Sequence, residues 1–208
     1  FSQGALWEIG SAISLFQVKN YAHEFLAALE GKGASASAAD EDESIALVAE
    51  DIELTTRDFI LKQLNRYLKE HALEHFVAHL LECMGYRAKV TPPSHDGGVD
   101  IIAHKDELGL EPPIIRVQVK SGESTVGRPV LSSLAGALHA SDCGLFVSLG
   151  TFSKDAESFA KNKGNLRLVD KYELVDLIYQ HYEKFDARYK GLIPLKRVYV
   201  PEALPEDE

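Results

Sequence analysis

Cysteine is almost missing from this chain: of 208 residues only Cys83 and Cys143 carry a thiol. They form no CxxC pair and both sit among apolar neighbours, so two buried free thiols in a reducing cytoplasm are expected. Long hydrophobic runs are missing too. No stretch approaches the roughly 20 apolar residues of a membrane-spanning helix, and no basic-plus-apolar signal segment is present. The sole methionine is Met84 and the chain begins at Phe1, which leads us to expect a piece of a longer protein. Positive charge is scarce: 22 Lys and Arg stand against 32 Asp and Glu, a net charge of −10.

The distribution of that charge matters more than its sum. Residues 1–52 hold 9 acidic and 2 basic side chains, and residues 199–208 hold 4 acidic and none basic. The central residues 53–198 therefore carry 19 acidic and 20 basic groups and are nearly neutral. Acidity belongs to the edges, and charge alone neither favours nor excludes a nucleic acid partner.

Organisation follows from periodicity. Residues 11–30 space their apolar positions as a helix does and stop at Gly31, which defines an N-terminal helical segment over 1–31. Residues 32–52, small and then acidic, read as a flexible linker. Residues 53–198 read as a single domain and 199–208 as an acidic tail. Within that domain two helical stretches precede three strands, "YRAKVT", "VDIIAH" and "IIRVQVK". A helix near 126–140, the strand "CGLFVSL", a helix with Ser153 as N-cap, the strand "LRLV" and a last helix follow. This order predicts an α/β fold with a mixed sheet flanked by helices, preceded by the N-terminal helical segment.

Asp100, inside "VDIIA", is the residue that asks for an explanation, because a buried carboxylate without a partner is costly. In "IIRVQVK" strand alternation puts Arg116, Gln118 and Lys120 on one face. If the two strands are neighbours, Asp100, Gln118 and Lys120 meet at one end of the sheet. A carboxylate, an amide oxygen and an ammonium together suit a hard, oxygen-seeking cation and the water it activates. On the preceding helix Leu73, Phe76, Val77, Leu80, Leu81 and Met84 form the buried stripe at about 100° per residue. Glu82 then faces water, whereas Glu74 borders the stripe within reach of the sheet edge.

Four blocks, "LEHFVAHLLECMGY", "DGGVDIIA", "VQVKSG" and "GLFVSLGTFSKDA", in this order and spacing, resemble the catalytic domain of Mrr-type restriction endonucleases of the PD-(D/E)XK superfamily. The resemblance spans roughly residues 70–180 and implies a restriction-endonuclease-like fold and a metal-dependent DNA phosphodiesterase. Position by position, it makes Glu74 the helix glutamate, Asp100 the metal-binding aspartate, and Gln118 and Lys120 the QxK form of the motif. Asp96 becomes the first aspartate of the DGGxD block. It implies Mg²⁺, with Mn²⁺ able to substitute, held by Asp100, Gln118 and the Val119 carbonyl. Lys120 then acts as general base or as electrostatic stabiliser, and burial beside the cation would favour the base. The expected role is defence against foreign or modified double-stranded DNA in the cytoplasm, with a homodimer as one expected assembly. Phe1–Leu29 and "LIPLKRVYV" look like longer members of the group, in which a PUA-like reader domain precedes the nuclease.

Simpler roles stand beside these. Asp96 shapes the "HDGG" turn as readily as it supports the site. His95, Arg116, Ser121, Ser153 and Lys154 are candidate DNA contacts, yet Ser153 also serves as a cap and Arg116 as a partner for Glu111. His71, His75 and His79 read as a solvated helix face. On the same fold a Holliday-junction or repair nuclease is the alternative. From other classes come a non-cleaving DNA-binding module and an oligomerisation scaffold.

Overall fold

The computed structural model describes residues 38–92 and 98–198, with side chains from Leu47 onward. The expected helix at 11–30, the turn carrying His95 and Asp96, and the acidic tail lie outside these residues. The chain divides into two units, Phe1–Ala49 with Val200–Glu208, and Glu50–Tyr199. The second contains nearly every described element.

Helix α1 (Ala38–Tyr67) and helix α2 (His71–Cys83) lead into strands β1 (Arg87–Val90), β2 (Ile101–His104) and β3 (Ile115–Lys120). Helix α3 (Arg128–Gly136), strand β4 (Cys143–Ser148), helix α4 (Lys154–Lys163), strand β5 (Leu166–Val169), helix α5 (Lys171–His181) and helix α6 (Ala187–Leu192) complete the order. The sheet runs β1-β2-β3-β4-β5. Its first three strands are antiparallel and β3, β4 and β5 are parallel, so the sheet is mixed as expected.

Strand alternation divides the core in two. Ile101, Ala103, Val117, Val119 and Val147 point to the face covered by α1, α2, α5 and α6, where Ile60, Leu73, Phe76, Ile178 and Ile193 are fully buried. Phe146 and Leu166 point to the other face and pack on Leu131 and Leu134 of α3 and Ala156 and Ala160 of α4. The result is a sheet between two helical layers. Its first face carries the larger apolar cluster, and Gln118 belongs to the opposite face.

Helix ends follow local chemistry. The Ser153 hydroxyl accepts the Ala156 N–H at 3.2 Å, Lys161 and Lys163 occupy the last turn of α4, and Gly164 closes it at φ +72°. Ser153→Ala is expected to lower the unfolding free energy by about 1 kcal/mol, as read from urea denaturation. Asp170 caps α5 by accepting from the Tyr172 and Glu173 N–H groups.

Several expectations change here. The acidic stretch read as linker is helical from Ala38. In sequence the acidic residues fall in the first turns of α1, a position where the helix dipole favours negative charge. Strand β2 begins at Ile101, so Asp100 stands at its mouth rather than within it. Helix α6 was not expected, because six residues are too few for a periodic signal; Asp186 caps it through the Tyr189 N–H. Cys83 is buried as expected but Cys143 is only half-buried. His79 does not face solvent: it packs against Phe185 and Tyr189 and accepts the Asp186 N–H at 3.2 Å.

Candidate active site

Register brings the two strands of interest together. Ile101 pairs with Val117 and Ile102 with Arg116, so one residue before β2 Asp100 stands opposite Gln118. The Asp100 N–H donates to the Val117 carbonyl at 2.8 Å, and Asp100 Oδ2 accepts the Val119 N–H at 2.7 Å. Among the described residues Oδ1 has no hydrogen-bond partner. Burial pushes the Asp100 carboxyl above the usual aspartate range. The Val119 N–H opposes that rise, Glu74 adds to it, and Lys120 and His71 oppose it. Glu74, Lys120 and His71 therefore all stand close enough to act on the charge of Asp100.

Gln118 is buried, and its Oε1 is a buried acceptor with no hydrogen-bond partner among the described residues. An acceptor of that kind costs about 1–3 kcal/mol to leave unmet. Gly98 lies against the amide. It sits at φ +79°, and a Cβ there would come within 2.6 Å of Gln118 Nε2, so a side chain would strain the backbone and push the amide from its place. The glycine thus does more than turn the chain. It gives the amide room beside Asp100.

Glu74 projects from the first turn of α2, which packs across β1, β2 and β3. Its carboxylate Oε2 meets His71 Nδ1 at 2.8 Å, and its side chain is only 13% exposed. Glu82 is exposed, as the helical stripe requires. Lys120, at the end of β3, is exposed. The side-chain burial expected for its role as a base is not present, and Lys120 stands at the rim of the site.

The remaining candidates scatter. Arg116 Nε donates to Asp142 Oδ2 at 2.5 Å, toward the other end of β3, so its partner is Asp142 and not Glu111. Ser153 spends its hydroxyl as the cap of α4, and Lys154 beside it is exposed. Ser121 is half-buried just past β3. The chain after β3 and the chain after β4 are laced by Val126 N–H to Thr151 O at 2.8 Å and Ser153 N–H to Val126 O at 3.0 Å. A Cβ on Gly150 would overlap the Ser124 carbonyl. His71 was read as part of a solvated face; its i, i+3 spacing to Glu74 was the signal for the pair.

Among the described residues no three of His, Cys, Asp and Glu converge as metal ligands. The donor set is mixed instead: the carboxylate of Asp100, the orphaned amide oxygen of Gln118, and Glu74 nearby. Oxygen donors with a carboxylate that burial disfavours as an anion fit a hard divalent cation.

A mixed sheet between helical layers, with an aspartate and a Gln-x-Lys strand meeting at its edge, defines the restriction-endonuclease-like class. Residues 65–178 match the Mrr_cat family, described as restriction endonuclease, and the chain belongs to that family. It is 38% identical over 88 residues to the type IV methyl-directed restriction enzyme EcoKMrr of Escherichia coli (strain K12), a match covering 41% of this chain and 28% of that protein. In fold it is similar to the MspJI restriction endonuclease in complex with a 27-mer oligonucleotide. That likeness has a TM-score of 0.51 at 21% identity and covers 71% of this chain and 37% of MspJI. The DNA modification-dependent restriction endonuclease AspBHI gives a TM-score of 0.53 at 18% identity, over 67% of this chain and 40% of its own.

Proposed function

We propose that this chain is a metal-dependent DNA endonuclease that hydrolyses phosphodiester bonds in modified or foreign double-stranded DNA. The observation that carries the reading is the orphaned Gln118 Oε1 standing beside a carboxyl whose ionised form burial disfavours. Two oxygen donors side by side suit a divalent cation, and Gln118 Oε1 meets no hydrogen-bond donor among the described residues. The family, and the modification-directed action named for EcoKMrr and AspBHI, support the substrate.

Asp100 Oδ1, Gln118 Oε1 and the Val119 carbonyl would hold Mg²⁺, or Mn²⁺ in its place. A divalent cation there supplies Lewis-acid polarisation of the scissile phosphate and lowers the pKa of water. Asp100 is kept in place by the Val119 N–H, which occupies one of its oxygens and leaves the other toward the site. Lys120 offsets the negative charge that develops on the phosphate. Glu74 orients the attacking water from the side of α2. Residues 53–198 form the catalytic domain in this reading. Ser121, just past β3, and Lys154, in the first turn of α4, touch the DNA backbone, and the segment before residue 32 belongs to a reader of bases.

Supercoiled plasmid, methylated or unmethylated, incubated with the chain and Mg²⁺ or EDTA tests this directly. The expected result is nicked and linear DNA with Mg²⁺ and none with EDTA. Lys120→Met is expected to slow cleavage by about a hundredfold, the scale of one lost electrostatic contact. Both plasmids left intact in Mg²⁺ and in Mn²⁺ would end the reading.

A further inference from the structure

We infer that His71 is a positioning residue of this site, holding the Glu74 carboxylate toward Asp100. The inference rests on the endonuclease reading and adds a residue to it. Glu74 and Asp100 are like charges that disfavour one another, since Glu74 disfavours ionisation of Asp100. Left to itself, the Glu74 side chain would relieve that repulsion by swinging to water. The imidazole prevents this. His71 Nδ1 lies 2.8 Å from Glu74 Oε2, one helical turn back on the same face, and offsets part of the carboxylate's charge. The His71 side chain is 63% exposed while Glu74 is 13% exposed, so the pair joins a solvent-facing ring to a nearly buried acid.

The backbone favours the same arrangement. Glu70, immediately before His71, is the one described non-glycine residue with positive φ, at φ +47° and ψ −120°. No side chain caps α2 there. A non-glycine residue at positive φ turns the chain between α1 and α2 immediately before the first turn of α2. That turn carries both His71 and Glu74. His75, one turn on, is exposed and has no polar partner among the described residues, which makes it a fair control.

The test uses the full chain and five variants: His71→Ala, His71→Asn, Glu74→Ala, the His71/Glu74 Ala/Ala double, and His75→Ala as control. Cleavage kinetics give one readout, and Mn²⁺ binding without DNA, followed by the paramagnetic signal of free Mn²⁺, gives another. His71→Ala is expected to lower kcat by about tenfold and to weaken Mn²⁺ binding by about the same factor, as loss of a partner in the shell around the ligands does. KM for DNA and the melting temperature should not move. In the Glu74→Ala background, His71→Ala should add nothing further. His71→Asn, whose amide can occupy the place of Nδ1, should restore most of the loss, and His75→Ala should match wild type. A raised KM with unchanged kcat, or the same loss in both backgrounds, would show that His71 acts on DNA directly and would overturn the inference. If the wild type cuts nothing, the endonuclease reading fails separately, and the Mn²⁺ titration alone decides the role of His71.

Discussion

Asp100→Asn is expected to abolish cleavage, by at least about a thousandfold, while leaving the protein as stable as wild type or more stable. Both halves come from one environment. Asparagine keeps an oxygen to accept the Val119 N–H, so the link between β2 and β3 survives. It loses the charge that burial and Glu74 disfavour. In metal-free buffer near neutral pH the variant should be the more stable of the two, because it lacks the charge whose burial is unfavourable. The sign follows from the direction of the shift. The carboxyl is raised in the fold, so its penalty is present at pH above the folded pKa. It disappears as protonation sets in, and the gap between variant and wild type should close on acidification. Divalent metal should reverse the order: Mg²⁺ stabilises wild type through binding and does little for the variant. Thermal melts with EDTA and with Mg²⁺, set beside plasmid cleavage, check all of this.

Asp142→Ala is the largest expected loss of stability, about 4 kcal/mol, the scale for stranding one partner of a buried ion pair. The Asp142 side chain is 3% exposed and accepts from Arg116 Nε and from the His139 N–H. Burial alone would raise its pKa, yet Arg116 and the His139 N–H outweigh burial and hold it below the usual range. Alanine leaves a guanidinium with 21% exposure unpaired beside β3. Because the folded pKa is depressed, the contribution of Asp142 is fully present above the ordinary aspartate value. It is lost as pH falls through the lower, folded value. Urea denaturation of wild type and variant at neutral pH should show the full difference, and the difference should collapse under strongly acidic conditions. Asp142→Asn, which keeps an acceptor for the His139 N–H, should cost less.

Fold and site differed in how much the sequence disclosed. Strands β2 to β5 were legible because their apolar residues are β-branched or alternate cleanly, and because Gly and Pro punctuate them. The ends of α1 were not: an acidic run between small residues has the composition of a linker, and only the helix dipole and the alanines around it favour a helix. Asp100 and Gln118 were found by alternation, since the period of two fixes which side chains meet across a ladder. The unmet Gln118 oxygen and the closeness of Gly98 to its amide could not be read, because each depends on contacts distant in sequence. Arg116 illustrates the opposite failure. It shares the Gln118 face, but Asp142, 26 residues on, takes it into an ion pair. The histidines of α2 looked alike in sequence and proved to be three different residues: a partner for Glu74, an exposed side chain, and a half-buried acceptor between aromatic rings.

Anomalous diffraction from crystals soaked in Mn²⁺ tests the central claim most directly. The account predicts a single strong peak bridging Asp100 Oδ1 and Gln118 Oε1, absent from Asp100→Asn crystals. A peak elsewhere, or none while Gln118 Oε1 makes a hydrogen bond within the protein, would contradict it.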